Sequence, residues 1–128
     1  MNMLILFPSD YFNPKQVDEV YKTEYKAVCQ LPEFNTALFD YDKFVQGEPL
    51  KIYPQDFYRG GCIYRGWMLT PPKYADLYEY LNKRGIQLIN SCCQYTLCHC
   101  FPVVYPEIKA FTPTVLNFTE AINWEQVL

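Results

Sequence analysis

A chain of 128 residues, half of them hydrophobic and 18% aromatic, is the length of one domain and holds enough apolar material for a buried core, which excludes a disordered chain. Its formal net charge is −3 and no basic cluster occurs anywhere, so the electrostatic footprint for nucleic-acid phosphates is missing and nucleic-acid binding is not expected. The opening Met-Asn-Met-Leu-Ile-Leu-Phe is too short to span a bilayer and lacks the basic start and cleavage site of an export signal, so a cytoplasmic protein off the membrane is expected. In that compartment the six cysteines are expected as reduced thiols rather than as a disulfide framework.

Residues 3–7 are a continuous apolar run ended by Pro8, the pattern of a strand buried on both faces of a parallel sheet, and are expected as the first and central strand. Asn13-Pro14 then opens a predicted helix. Its apolar stripe is Val17, Val20, Tyr21, Tyr25 and Val28, with Asp18 and Glu19 in its first turns and Pro32 at its end. Residues 36–39 favour a second strand, which runs into Asp40-Tyr41-Asp42. Residues 44–58, with Gly47, Pro49 and Pro54, read as an insertion holding a short extended piece at 50–53, and Gly60-Gly61 lead back to a third strand at 62–64.

The segment that follows has the clearest local signals. Thr70 is placed to cap a helix that Pro71 starts, because proline already holds a helical φ. Tyr74, Leu77, Tyr78 and Leu81 fall at i, i+3, i+4 and i+7, Lys83 and Arg84 complement the carboxyl end of the helix dipole, and Gly85 suits the left-handed closing position. Ile86, Leu88 and Ile89 resume a strand, which a helical crossover returns parallel to the third. Residues 92–99 are expected as a short helix, 103–111 as another interrupted by Pro106, 114–118 as a final strand and 119–128 as a tail. No repeat or low-complexity segment breaks the chain, so residues 1–128 read as one α/β domain: Rossmann-like, three-layered, with a mostly parallel sheet of four to five strands.

Three groups of residues could carry chemistry. Cys92, Cys93, Cys98, His99 and Cys100 hold soft metal ligands, but they form a single local cluster without the second ligand pair of a structural zinc site; cysteines packed as small apolar residues are expected, and no metal. A cysteine nucleophile with His99 as base lacks an oxyanion signature and an orienting carboxylate. The third group lies at predicted strand ends: Asp10 after the first, Asp40 and Asp42 after the second, Arg65 and Trp67 after the third, Asn90 after the fourth. All fall on the carboxyl edge of one parallel sheet, where such sheets bind ligands. Arg65 offers a planar, permanently charged fork, Trp67 a stacking face, and the acids could hold an amine or a metal. The competing reading makes Asp40 and Asp42 solvated loop caps and pairs Arg65 with one of them.

The segments LFPSDYFNPKQVDEVYKTEY, ALFDYDKFVQGEPLKIYP, CIYRGWMLTPPKYADLYEYL, GIQLINS and CHCFPVVYPEIKAFTP together resemble the amino-terminal part of ATP-grasp proteins, in the clade named for two arginines and one lysine. The resemblance spans residues 3 to about 118, and YRGWML, IQLIN and the Tyr-Pro and Thr-Pro pairs are its most specific pieces. It implies a Rossmann-like pre-ATP-grasp domain that shapes part of a substrate crevice, with Arg65 in the position of a family basic residue, and kinship with ligases that join carboxylates to amines using ATP and magnesium. Cys92, Cys93 and Cys100 lie outside the family pattern. The family's nucleotide grip belongs to a following domain, and here no glycine follows Gly85 and Lys109 is the only later lysine or arginine.

The expectation is therefore a stand-alone binding or protein-interaction module, not catalytic alone, with no cofactor unless an ATP-grasp core supplies ATP and magnesium. The alternative is the substrate-binding fragment or subunit of a split carboxylate-amine ligase. Expected partners are a protein or a small carboxylate or amine ligand, with homo-oligomerisation left open.

Overall fold

The computed structural model describes residues 3–54 and 59–118. Five strands, β1 (Met3–Pro8), β2 (Phe34–Phe39), β3 (Ile52–Tyr53), β4 (Gly60–Tyr64) and β5 (Ile86–Leu88), form one sheet in the order β3-β2-β1-β4-β5. β1 is central, as its unbroken apolar run implies. β2, β1, β4 and β5 are parallel, whereas β3 pairs antiparallel with β2.

Alternation along the strands feeds two cores. Leu4, Leu6, Ala37, Phe39 and Cys62 point to one face, where they meet Phe44 of α2 (Tyr41–Val45), Tyr74, Leu77 and Leu81 of α3 (Pro71–Asn82), and Tyr95 of α4 (Cys92–His99). Ile5, Phe7 and Leu38 point to the other and meet Val17, Tyr21, Tyr25 and Val28, the last two on α1 (Lys22–Val28). Helices thus cover both faces, and the domain is a three-layer Rossmann-like α/β fold. No helix among the described residues is long and apolar enough to cross a membrane.

α3 follows its sequence signals. Pro71 is its first residue, Tyr74, Leu77 and Leu81 are buried, and Gly85 takes a φ of 76°, the left-handed conformation that ends the helix. Thr70 occupies the cap position, but its side chain makes no capping bond. The first two helical residues are Pro71 and Pro72, which remove one of the N–H groups such a cap would bind.

Three expectations are corrected. The helix predicted from Asn13-Pro14 begins later, as a 3₁₀ turn at Glu19–Tyr21 capped by Asp18 and continued by α1. Short polar side chains intercept the earlier backbone: Asp10 Oδ1 accepts the N–H groups of Phe12 and Asn13, and Asn13 Oδ1 accepts that of Lys15. Val17 bridges Ser9 instead of starting a helical stripe, and Val20 is 69% exposed. The final strand predicted at 114–118 is irregular and exposed, held by a bond from Val115 N–H to Tyr105 Oη (3.2 Å) on α5 (Phe101–Ile108) instead of reaching the sheet. α5 itself starts at Phe101 and runs through Pro106 without a buried residue. The predicted tail at 119–128 and the 55–58 part of the insertion lie outside the described residues.

Burial of β4 sets an alkaline limit on stability. Cys62 is fully buried, which pushes its thiol from 9.0 up to about 12, and burial likewise raises the Tyr64 and Tyr74 hydroxyls. The unfolded chain releases the Cys62 proton first, so the stabilisation linked to it is complete below pH 9 and is lost as pH rises towards 12. Chemical denaturation between pH 8 and 11 is expected to show falling stability, approaching about 1.4 kcal/mol per pH unit for this group. Cys62→Ala should flatten that slope. An unchanged slope in the variant would remove Cys62 from the account.

Candidate functional site at the carboxyl edge

Four parallel strands place their carboxyl ends on one edge, so the loops after β1, β2, β4 and β5 gather there. The chain moves outward from β1 to β2 and then returns to lay β4 on the other side of β1, so the strand order reverses between β1 and β4. Open α/β sheets form their ligand crevice at such a point.

Each candidate residue has a defined setting. Asp10 holds the turn after β1 through the two backbone bonds already described. Asp40 is buried, caps α2 by accepting Lys43 N–H, and forms an ion pair with Lys43 Nζ at 3.1 Å. Asp42 lies in the first turn of α2, where burial, and then the carboxylates of Asp40, Asp18 and Asp10, raise its pKa above the usual range. Arg65 Nε donates to Glu24 Oε1 at 2.8 Å, and its guanidinium lies 5.2 Å from the Tyr21 ring centre. Trp67 Nε1 donates to Asp18 Oδ2 at 3.1 Å, and its ring meets Tyr21 edge-on. The backbone carbonyl of Asn90 accepts from Tyr74 Oη at 2.9 Å.

The ion pairs differ from the expected ones. Asp40 does serve as a cap, but it is buried rather than solvated, and Arg65 pairs with neither Asp40 nor Asp42. Alternation explains the choice. Arg65 continues the face of Ile63, which is the α1 side of the sheet, and Glu24 sits on α1, whereas Asp40 is taken by Lys43 one turn away.

Arg65 and Asn90 come together at one cavity of about 190 Å³, lined also by Tyr64, Tyr74, Tyr95 and His99. Asp10, Asp40 and Asp42 lie at the β1 and β2 ends and do not line it.

The loop after β4 is held in an unusually complete way, by three tyrosine hydroxyls from three elements. Tyr64 Oη donates to the Trp67 carbonyl, Tyr41 Oη to that of Met68 (3.0 Å), and Tyr95 Oη to that of Leu69 (3.2 Å) while accepting Leu69 N–H at 2.8 Å. Gly66 permits this path, because a Cβ there would stand 2.9 Å from Tyr64 Oη. Sequence reasoning missed Glu24, Asp18 and these tyrosines. Glu24, Asp18, Tyr41 and Tyr95 act on segments far along the chain, so nothing local marks them, and Tyr64, which acts three residues ahead, is one of twelve tyrosines.

All six cysteines are free; Cys62 is buried in the core and Cys92 packs partly buried against it, whereas Cys93 and Cys98 of the local cluster are exposed, which corrects the expectation that the cluster packs as small apolar residues. No group of three or more His, Cys, Asp or Glu side chains among the described residues could hold a metal ion. His99 instead packs against Tyr95, with ring centres 4.3 Å apart. Nor do the edge residues fit magnesium-ATP. The carboxylates of Asp10 and Asp40 are engaged in caps, Arg65 is engaged by Glu24, and no glycine-rich phosphate loop opens a helix after β1 or β4. No protein-family model, curated protein or solved structure matches the chain.

Proposed function

We propose that this domain is a pre-ATP-grasp-like binding module, not catalytic alone, which engages a protein partner or a small ligand through the carboxyl edge of its sheet. The observation supporting this reading is the position of Arg65 at the β4 end, at the reversal of strand order and beside a cavity, on a loop tied down by three tyrosines. A side chain on a pre-formed loop binds with little ordering cost. The YRGWML and IQLIN segments support a second reading, in which the chain is the substrate-binding part of a split carboxylate-amine ligase and ATP and magnesium belong to the other part. Under both readings, calorimetry with magnesium-ATP and this chain alone should show no binding; clear micromolar binding would overturn both.

Arg65→Ala separates a binding role from a structural one. The Arg65–Glu24 pair is about half exposed on both sides, so its loss should cost under about 1 kcal/mol. Thermal unfolding should therefore shift by no more than about 5 °C. Retention of host proteins on beads carrying the domain, quantified against the wild type, should fall for specific partners. Equal retention with a large drop in melting temperature would make Arg65 a structural residue.

A further inference from the structure

Exposed apolar side chains and unpaired acids meet on the carboxyl edge, and together they define a class of partner, provided that this edge is the binding surface. We propose that the loops after β1 and β4 receive a basic peptide segment of a partner protein, in which arginine alternates with large apolar residues.

The apolar surface is built on fixed loops. Ser9 bridges Val17, Asp10 N–H donates to Gln16 O at 2.7 Å and Asp18 N–H to Pro8 O at 3.0 Å, so the loop after β1 is closed at its root. Tyr11 and Phe12 stand on the projecting part, edge-on to each other with ring centres 5.0 Å apart, and Phe12 is 90% exposed. At the root Asp18 holds the exposed Trp67 by its indole N–H and binds the N–H of the exposed Val20. Met68 follows, 65% exposed, with its carbonyl held by Tyr41. Large apolar side chains held in water by ordered loops mark an interaction surface, and little ordering remains for a partner to supply.

Charge decides the occupant. Lys22, Lys43 and Arg65 are each matched by one acid, Glu19, Asp40 and Glu24 respectively, and Lys15 lines a separate cavity with Tyr25 and Tyr53. Asp10, Asp18 and Asp42 have no cation within ion-pair distance among the described residues. All three are half-buried, and the charges of Asp18 and Asp10 reach Asp42. Partly desolvated charges are screened less than fully exposed ones, so this edge attracts cations and repels nucleic acid, anionic bilayers and a second copy of itself. An arginine side chain meets both features at once, because its guanidinium lies flat on an aromatic ring and its fork pairs with a carboxylate. Covering Phe12 and Met68 takes apolar residues beside that cation, which a free amine lacks. Arg65 does not oppose such a segment: Glu24 neutralises it at 2.8 Å, and its terminal nitrogens, without an acceptor among the described residues, suit the segment's backbone carbonyls.

The test is a ¹H–¹⁵N NMR titration of the whole chain in four separate arms: a short alternating arginine–leucine peptide, the same peptide with glutamate for arginine, the same peptide with serine for leucine, and spermine. The arginine–leucine peptide should cause saturable shifts at the amides of Tyr11, Phe12, Trp67 and Met68 and at the Trp67 indole N–H, with an affinity at least about tenfold above that of every other arm. Phe12→Ser and Asp42→Asn should each weaken it several-fold, and thermal unfolding of both should stay near that of the wild type, because Phe12 is exposed and Asp42 forms no ion pair. Preference for the glutamate peptide, or an equal response to the serine peptide or spermine, would overturn the partner class while leaving the edge as a binding surface. Unchanged affinity in both variants, or silence of these amides in all four arms, would overturn the inference. The edge reading itself fails separately if bead retention is indifferent to Arg65→Ala.

Discussion

Tyr74→Ala is expected to lower unfolding free energy by about 3–5 kcal/mol, the range for removing a buried aromatic ring. Tyr74 is 1% exposed, stacks on Tyr95, meets Tyr64 edge-on and donates through its hydroxyl to Asn90 O. Truncation would leave a cavity between α3 and α4 and an unpaired carbonyl beside Ser91, the cap of α4. A domain of this kind is stable by about 5–15 kcal/mol, so the variant should still fold but with a much lower urea midpoint. Tyr74→Phe keeps the ring and should cost only about 0.5–1.5 kcal/mol. If alanine cost no more than phenylalanine, the stacked face would not be the closely packed one described.

The second large effect is expected from Tyr95→Phe, at about 1–3 kcal/mol for one oxygen atom. That oxygen is buried, accepts Leu69 N–H and donates to Leu69 O, so its removal strands a donor and an acceptor in an environment without water to replace them. The signature is local. Hydrogen exchange at the Leu69 amide should accelerate beyond what the global loss of stability requires, and its neighbours in the loop after β4 should follow. Acceleration matched to the global loss alone would mean that Tyr95 stabilises the domain without holding that loop.

Parts of this molecule were legible where the physics is local. The apolar run before Pro8 announces a strand covered on both sides, and α1 on one face with α3 and α4 on the other provide that cover. The spacing of Tyr74, Leu77 and Leu81, with Pro71 before and Gly85 after, defines α3 almost to the residue. Where local signals competed, the reading failed. Val17, Val20 and Tyr21 have helical spacing, yet Asp10 and Asn13 offer the backbone closer partners and hold residues 10–15 in turns. Val115, Leu116 and Phe118 suit a strand by residue type, but strand propensity needs a neighbouring edge and a face to bury, and this segment has neither.

By itself the sequence determined that the fold is α/β with a mostly parallel sheet, that its first strand is central, and that the loops carrying Asp10, Asp40, Asp42, Arg65, Trp67 and Asn90 share one edge. Strand direction follows from helical crossovers, which short-range periodicity reveals. Only the tertiary structure decided what those residues touch. Arg65 meets Glu24 across 41 positions of chain, Trp67 meets Asp18 across 49, and Tyr41 and Tyr95 reach the loop after β4 across 27 and 26. Such partners depend on which helix covers which face and how far each strand end projects, and those quantities are set by packing of the whole domain. That packing separates the acids at the β1 and β2 ends from Arg65 and Asn90, and it draws His99 into the cavity beside them.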